Sequence, residues 1–476
     1  MGEDSRRYES VLAGRYAGRA MSENWSEHRK FSLWRRLWVE LARAQMELGL
    51  AIRKEQVRAM EAAVEKIDLA RAAEIERRTR HDVMAHIHAF EEAAPEAKGI
   101  IHLGATSCFV ADNAELIQIR EGLAILRGAV VNVIDRLARF AKQHRSLVTL
   151  GFTHFQPAQC VTVGKRATLW IQDLLLDLDA IEFALGHVRF RGVKGTTGTQ
   201  ASFLALFGGD HEKVKALERK VARRFGFRDS FPVTGQTYPR KVDYLALSAL
   251  SGAAQSVHKF ASDVRLLSNL REVEEPVEAE QVGSSAMAYK RNPMRCERMT
   301  ALARFVMTLS ENAAFTAGSQ WLERTLDDSA NRRIVLPEAF LSTDAILALY
   351  ANVTGGLVVN EAMIRKHVEE ELPFQATEPL LLAAASAGKD RQVVHEAIRK
   401  ASRLAGEAIR KGKPNPLLAL LAKEPALKGV DVRKVMEKAN FVGRAPEQVD
   451  EFLAEEVEPV LIRHRDLIGD TEEIRL

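Results

Sequence analysis

Residues 112–140 read DNAELIQIREGLAILRGAVVNVIDRLARF. Apolar side chains recur along this stretch at alternating intervals of three and four, at Leu116, Ile119, Leu123, Leu126, Val130, Val133, Leu137 and Phe140. An alternation sustained over more than three heptads is typical of one long, straight helix with a coiled-coil-like seam. Asp112 or Asn113 can cap the first turn of that helix, because both side chains accept hydrogen bonds from backbone N–H groups.

The same pattern returns over residues 241–272, with a seam formed by Leu250, Ala253, Val257, Phe260, Val264 and Leu267. Further helical patterns cover residues 31–49, 54–78, 80–90, 161–187, 296–318 and 337–352. Residues 191–209 are rich in glycine and threonine and are expected to form a loop or a short hairpin, while strands are otherwise nearly absent. Long helices with such seams pack into a bundle at crossing angles of about 20°.

From about residue 360 the helical patterns shorten. They are separated by the turn-forming runs KGKPNP (411–416) and GRAP (443–446). We therefore predict an all-α fold of three helical domains. These are an N-terminal domain (1–106), a central long-helix bundle (107–359) and a C-terminal domain (360–476).

The composition argues against several classes of protein. In the 476 residues, 68 Lys and Arg are interleaved with 64 Asp and Glu, so the net charge is only +4 and no basic block suggests nucleic-acid binding. Cys108, Cys160 and Cys296 are too few and too widely spaced for a disulfide framework or a zinc site. With no apolar signal segment and no 18-residue apolar run, no membrane span is expected, and a cytoplasmic location is the default.

A second informative stretch, GSSAMAYKRNP (283–293), lies between two helical patterns. Gly283 and Pro293 punctuate it, so it is predicted to be a loop. A polar loop on a rigid helical frame is a common location for binding and catalytic residues. Other polar motifs are RHDVMAH (80–86), GFTHFQPAQ (151–159) and WLERTLDDSANRR (321–333). The histidines at 81, 86 and 88 lack the spacing of a helical zinc site, so no metal is expected.

The 283–293 stretch resembles the signature loop of the fumarase/aspartase lyase superfamily. The three other motifs resemble those of the adenylosuccinate lyase family, in the form close to the animal enzymes. The resemblance extends from about residue 10 to about residue 465 and implies a fumarase/aspartase-like fold. One position departs from the family pattern, because Ala288 stands where the family usually has proline.

The resemblance implies a carbon–nitrogen lyase that releases fumarate by β-elimination. Such a reaction needs a base for a weakly acidic C–H, stabilisation of a dianionic intermediate and an acid for the leaving nitrogen. By resemblance, Ser284 is the base and His154 the acid. Lys290 supplies the cation that a serine base requires at neutral pH. Glu297 is the partner expected to fix the tautomer of His154.

Substrate recognition is expected to depend on Arg324, Ser329 and Arg333. Two guanidinium groups and a hydroxyl are well suited to a phosphate monoester. By resemblance, the substrate-binding set also includes Arg15, Tyr16, Arg80, His81, Asp82, Thr106, Ser107, Thr153, Gln236, Asn292 and Arg298. The sequence has no P-loop and no dinucleotide-binding glycine motif, so the nucleotide is expected to be a substrate, and no metal or organic cofactor is expected.

The expected function is cleavage of adenylosuccinate to AMP and fumarate. By family analogy it extends to the succinyl-carboxamide ribotide (SAICAR), giving AICAR, in purine biosynthesis. Three alternatives remain open at this point. They are another fumarate-releasing lyase acting on argininosuccinate, aspartate or malate, a catalytically inactive structural protein with the same fold, and a basic nucleic-acid binder.

The predicted helix also bears on assembly. About 30 residues at 1.5 Å each give a length of about 45 Å, with Thr106 and Ser107 before it and His154 after it. One nucleotide cannot contact both ends, although the resemblance places both motifs around one substrate. Active sites shared between subunits are therefore expected, with Ser284 and His154 of each site coming from different chains. The resemblance implies that the assembly is a homotetramer.

Overall fold

The computed structural model describes residues 10–278 and 280–469. Within these residues the α-helices are α1 (Arg19–Asn24), α2 (Glu27–Glu47), α3 (Lys54–Ala62), α4 (Leu69–Thr79), α5 (Asp82–Ala93), α6 (Ser107–Gln143), α7 (Val163–His187), α8 (Ala201–Leu206), α9 (His211–Arg224), α10 (Lys241–Asn269), α11 (Met294–Gly318), α12 (Asp327–Gly355), α13 (Glu361–Gln375), α14 (Thr377–Ser386), α15 (Arg391–Arg410), α16 (Leu417–Leu421), α17 (Val432–Lys438), α18 (Ala445–Phe452) and α19 (Glu458–Arg463). The strands are β1 (Val148–Thr153), β2 (Gln156–Thr162), β3 (Val273–Glu274) and β4 (Val358–Val359). The predicted all-α class is confirmed.

The centre of the molecule is a bundle of the long helices α6, α7, α10, α11 and α12, which pack on one another. Helix α6 has 37 residues and is therefore about 55 Å long. All eight apolar residues of its predicted seam are buried, as are those predicted for α10. The 3–4 alternation therefore identified the two helices around which the bundle is organised.

The predicted cap of α6 is wrong. The helix begins at Ser107, so Asp112 and Asn113 lie inside it and are buried. Asp112 forms an ion pair with Arg240, and the Asn113 amide donates to the carbonyls of Phe109 and Gly192. Both polar side chains serve contacts between elements rather than the end of the helix.

Three other predicted boundaries also differ. Helix α12 begins at Asp327, ten residues before the predicted start, and keeps Pro337 inside. The helical pattern at 54–78 is divided between α3 and α4. Residues 191–209 form a loop followed by α8 rather than a hairpin. Gly198 in this loop has a φ of +82°, and a Cβ there would lie 1.8 Å from the carbonyl oxygen of Thr234.

Helix α12 is long and apolar enough to cross a membrane, but 78% of its most apolar window is buried inside the molecule. A helix that is apolar on all sides can equally be the core of a large protein. Because α12 packs against α6, α10 and α11, we interpret it as the core helix of the bundle.

Two large hydrophobic cores occur among the described residues, with a small third cluster of Ala72, Ile75, Ala85 and Ala89 between α4 and α5. The larger one joins the N-terminal helices to the bundle. A separate core within residues 376–432 includes Leu380, Ile398, Leu417, Leu421 and Leu427. The domain boundaries after residues 106 and 359 stay predictions.

Two short antiparallel strand pairs lie next to segments that carry predicted site residues. Strands β1 and β2 form a hairpin directly after α6, with Thr153 paired to Gln156. Strands β3 and β4 join the end of α10 to the end of α12, with Val273 paired to Val359. The 283–293 loop leaves β3 and enters α11, so it lies at the same end of the bundle as β3 and β4.

Candidate active site

A cleft of about 490 Å³ lies beside the N-terminal end of α6. The α4–α5 junction, the first turns of α6 and the first turns of α12 line it. Seven predicted site residues share this cleft: Arg80, His81, Asp82, Ser107, Arg324, Ser329 and Arg333. Residues from three separate stretches of the sequence are therefore brought to one cavity.

Thr106 and Gln236 adjoin this cleft. The Gln236 amide donates to the Thr106 hydroxyl at 3.1 Å, and the Gln236 backbone N–H donates to the carbonyl of Glu323 at 2.9 Å. The buried thiol of Cys108 contacts both the Gln236 side chain and the Arg324 guanidinium. Gln236 thus connects the start of α6 to the segment that carries Arg324.

The α4–α5 junction is shaped by a left-handed residue. Arg80 ends α4 with a φ of +54°, an uncommon conformation for a residue other than glycine. His81 then caps α5 by accepting the N–H of Met84 at 3.4 Å. Burial opposes ionisation of Asp82, but its ion pair with Arg333 outweighs burial and holds the pKa of Asp82 below its usual range.

Behind the cleft, Arg240 lies between two carboxylates. Its guanidinium donates to Asp112 at 3.1 and 3.3 Å and to Asp328 at 2.7 Å. All three side chains are at most 3% exposed. Burial alone would raise the pKa of Asp112, but Arg240 and Arg332 hold it below the usual range. This buried ion pair joins α6 and α12 at the start of α10.

Arg332 forms a second buried ion pair beside the first. It donates to Asp243 at 2.7 Å, to the Tyr238 hydroxyl at 2.5 Å and lies 2.8 Å from Glu115. Arg332 and its neighbour Arg333 both line the cleft, Arg332 as a buried side chain and Arg333 as an exposed one. Neither ion pair could be predicted from the sequence, although Asp328 and Arg332 belong to the 321–333 motif.

Arg15, Tyr16 and Arg298 form a cluster of their own. The guanidinium carbons of Arg298 and Arg15 lie 5.5 and 5.8 Å from the centre of the Tyr16 ring, within cation–π range. These predicted residues come together, although they do not line the cleft that contains Arg333. Arg298 lies on the second turn of α11, which places this cluster close in sequence to the signature loop.

The signature loop folds on itself. The Ser284 hydroxyl accepts the N–H of Met287 at 3.2 Å, and the Asn292 amide donates to the Gly283 carbonyl at 2.8 Å. Lys290 and Glu297 are exposed. Lys290 and Asn292 line a second cavity of about 450 Å³, which acidic residues of the 274–278 segment also line.

The base of this loop is firmly anchored. Glu275 is buried and accepts the backbone N–H groups of Arg295 at 3.0 Å and Cys296 at 2.9 Å, at the start of α11. The Arg295 guanidinium donates to the carbonyl of Pro276 at 3.0 Å and to Glu278. This anchor could not be predicted from the sequence, because it joins residues 20 and 21 positions apart.

His154 lies at the tip of the β1–β2 hairpin. His154 and Phe155 form its two-residue turn with φ values of +54° and +56°. Turns with two positive φ values usually contain asparagine and glycine, so this backbone is strained, as is common at functional sites. His154 and Thr153 are exposed, and the His154 ring has no hydrogen bond to any residue in the described ranges. The predicted Glu297 partner is therefore not in contact within one chain.

The cleft and His154 lie at opposite ends of α6. Ser107 begins this helix, and the base of the hairpin is bonded to its last turn through Gly164 and His144. A six-residue strand spans about 20 Å, so even a strand folded back along the 55 Å helix could not bring His154 to the cleft. One chain does not place these predicted residues in one site.

Two of the histidines near the cleft are core residues. The His86 ring stacks on Phe31 with centroids 3.7 Å apart, and burial lowers the pKa of His86 to about 4. His102 accepts from the indole N–H of Trp38 at 2.8 Å, and burial lowers its pKa to about 4 as well. Among residues 10–278 and 280–469, no group of three or more His, Cys, Asp or Glu side chains could hold a metal ion.

Comparison with known proteins identifies the family. Residues 14–308 match the lyase family model, and residues 373–452 match the model of the adenylosuccinate lyase C-terminus. The chain is 50% identical over 475 residues to the adenylosuccinate lyase of Saccharomyces cerevisiae, and the match covers 98% of each. The chain belongs to the adenylosuccinate lyase family. The family resemblance predicted from the sequence motifs is confirmed.

Other relatives in this family show the same extent of similarity. The adenylosuccinate lyase of Schizosaccharomyces pombe is 50% identical over 474 residues, with 98% of each chain covered. That of Schistosoma mansoni is 48% identical over 467 residues, with 97% of each covered. The similarity therefore includes the cleft, the hairpin and the signature loop.

Solved structures confirm the fumarase/aspartase-like fold. The 3-carboxy-cis,cis-muconate lactonizing enzyme of Pseudomonas putida superposes with a TM-score of 0.82 at 22% identity, covering 94% of this chain and 99% of that one. A fumarate lyase from Mesorhizobium superposes with a TM-score of 0.80 at 24% identity, covering 94% of this chain and 100% of that one. At such identities the likeness concerns the fold alone.

Proposed function

We propose that this protein catalyses β-elimination of fumarate from adenylosuccinate to give AMP. The observation that carries the proposal is the grouping of Arg324, Ser329 and Arg333 around one cleft in a member of the adenylosuccinate lyase family. Two guanidinium groups and a hydroxyl suit the phosphate of a nucleotide substrate. The same phosphate occurs in SAICAR, so we extend the proposal to its cleavage to AICAR in purine biosynthesis.

In this mechanism Ser284 removes the proton from the carbon next to the carboxylate. Lys290 and Asn292 hold the succinyl carboxylates and stabilise the negative charge that develops during proton removal. His154 protonates the leaving nitrogen, with Glu297 fixing its tautomer. The exposed positions of Ser285 and Lys290 and the anchored base of the loop support closure of this segment over the substrate.

We further propose a homotetramer whose sites are shared between chains. The support is the distance between the cleft and His154, together with apolar side chains exposed beside the cleft. Phe315, Trp321 and Leu322 are 75%, 74% and 98% exposed, and Leu326 and Ile334 extend this surface. Exposed apolar patches of this kind are typical of protein–protein contacts. A neighbouring chain that covered these apolar side chains would also bring to the cleft the residues that one chain alone does not place there.

Three further proposals follow from the sequence. The protein acts in the cytoplasm, and it requires neither nucleic acid nor a membrane. The 1–106, 107–359 and 360–476 segments are separate helical domains, with the isolated core within residues 376–432 supporting the last.

An argininosuccinate lyase-like activity is the alternative function. The arginine-lined cleft favours a phosphorylated substrate over argininosuccinate.

Direct assay tests the main proposal. The protein is mixed with adenylosuccinate, and the ultraviolet change on conversion to AMP is followed beside assays of fumarate release from argininosuccinate, aspartate and malate. We expect turnover of adenylosuccinate and no fumarate release from the other three compounds. Fumarate release from an amino-acid substrate without adenylosuccinate turnover would support the alternative, and salt-dependent DNA binding in place of any turnover would support a nucleic-acid binder.

A further inference from the structure

Lys30 lines the same cleft as Arg324, Ser329 and Arg333, although no motif pointed to it. It lies on the first turn of α2, whose N-cap Ser26 accepts the backbone N–H of Arg29. The surrounding sequence, EHRKFSLWRR (27–36), has the charge pattern of an ordinary amphipathic helix. Only the fold reveals that this lysine enters the cleft.

Lys30 differs from its neighbour in how its charge is compensated. The Arg29 guanidinium donates to both carboxylate oxygens of Glu121 at 2.8 Å. The Lys30 ammonium has neither a hydrogen bond nor an ion pair with any residue in the described part of the chain. It lies 5.4 and 5.3 Å from the ring centres of Phe31 and Trp34. Aromatic faces attract a cation but cannot accept its hydrogen bonds as a carboxylate does.

The two carboxylates whose charges act on Lys30 most strongly are already paired. Glu115 lies 2.8 Å from Arg332, and Asp82 pairs with Arg333. Burial has the largest effect on the Lys30 ammonium and lowers its pKa, and Arg333 acts in the same direction. A half-buried cation beside a second cation, with no acceptor in its own chain, is stabilised when an anion binds between them.

We propose that Lys30 is a third cationic ligand of the substrate phosphate, acting together with Arg324 and Arg333. The inference rests on the proposed function and adds a residue to its phosphate subsite. Arginine offers a fixed fork of donors, whereas lysine offers a compact charge with three N–H donors. The phosphate monoester of a nucleotide has three terminal oxygens and can accept both kinds of donor at once.

Ligand binding to the intact protein tests this role. Lys30→Met removes the charge, Lys30→Arg keeps it, and Lys54→Met is the control because Lys54 is exposed on α3 outside the cleft. Binding of AMP, adenosine and succinate is measured for each variant, with steady-state kinetics on adenylosuccinate. In Lys30→Met we expect AMP affinity to fall and KM to rise about 10–100-fold, the scale of one charge-assisted hydrogen bond. Adenosine and succinate binding should stay within about twofold and kcat within about threefold, since the contact is a uniform binding contact.

The comparison between ligands separates a phosphate contact from a structural role. Equal losses for AMP and adenosine, or unchanged AMP binding, would overturn the proposal, as would a selective loss of succinate binding. Lys30→Arg should retain most of the preference for AMP over adenosine, and failure to do so would also count against it. Lys30-dependent AMP binding without adenylosuccinate turnover would reject the proposed reaction but keep the phosphate contact. A wild-type protein that binds no AMP would contradict both.

Discussion

The two ends of the helical bundle are built differently. At the cleft end, Arg240 and Arg332 are buried among carboxylates, and the residues around them are fixed by several elements. At the other end, Lys290 and His154 are exposed, and Ser284 bonds only within its own loop. The recognition surface is thus preformed within one chain. For the residues proposed to carry out the chemistry, we propose that other chains and closure of the loop complete their surroundings.

This difference has a physical reason. Buried ion pairs are costly to disrupt, because removing one partner leaves an uncompensated charge, so they hold the cleft in one shape. Exposed loops with few buried contacts open at low free-energy cost and can close over a substrate. Glu275 and Arg295 anchor the base of the loop, so we expect any such motion to involve its centre.

The largest expected effect is on catalysis at the exposed end. Ser284→Ala should lower kcat by several orders of magnitude and leave AMP binding within about tenfold, because a base acts on the transition state. Stopped-flow or steady-state kinetics and AMP titration measure the two quantities. The adjacent Ser285→Ala is the control and should keep near-normal turnover. If the two variants behaved in the opposite way, the base would be Ser285.

The next largest effect concerns stability at the cleft end. Arg240→Met leaves the buried Asp112 and Asp328 without their cation and should lower the free energy of unfolding by about 3–5 kcal/mol. Arg139→Met is the control on α6, because that side chain is 70% exposed and its pair should contribute at most about 1 kcal/mol. Urea unfolding at one protein concentration compares them. Equal losses of unfolding free energy in the two variants would mean that the buried ion pairs do not fix the cleft.

A smaller effect is expected for binding. Arg333→Ala should weaken nucleotide binding by about 2–5 kcal/mol, and nearer the lower value because its side chain is 52% exposed in the free chain. Arg324→Ala should act in the same direction. Arg36→Ala is the control, since Arg36 is 50% exposed and also paired with a glutamate. KM and inhibition by AMP are the measurements, and unchanged AMP inhibition would make this arginine purely structural.

The smallest effect is expected within the loop itself. Ala288→Pro restores the residue usual in the family and should stabilise the protein by about 0.4–1 kcal/mol by restricting the unfolded chain. Activity should be retained. Thermal unfolding and kcat test this, and a large loss of activity would show that the loop adopts a backbone shape that proline cannot take.

The long helices could be predicted from the sequence because their seams repeat over many turns. The start of α12 could not be predicted correctly. Proline is typical of the first helical residue, so the helix was expected to begin at Pro337, which in fact lies inside it. The β1–β2 hairpin was overlooked because its turn contains His154 and Phe155 in place of the usual asparagine and glycine. Such a turn carries no compositional signal.

The cleft residues could be named because their motifs resemble a known family. The ion pairs behind them could not, since Arg240 meets Asp112 and Asp328 across 128 and 88 residues of sequence. Lys30 was missed for the same reason, because its role depends on which elements pack beside α2. Long-range pairing of charges is decided by the fold and leaves no local pattern.

Subunit complementation tests most directly whether one active site takes Ser284 and His154 from different chains. Inactive Ser284→Ala and His154→Gln proteins are mixed, dissociated and allowed to reassemble, with each variant reassembled alone as the control. If Ser284 and His154 of one site come from different chains, some mixed sites carry both wild-type residues, and activity returns to a fraction of normal. Confirmed subunit exchange with no return of activity would contradict the shared site.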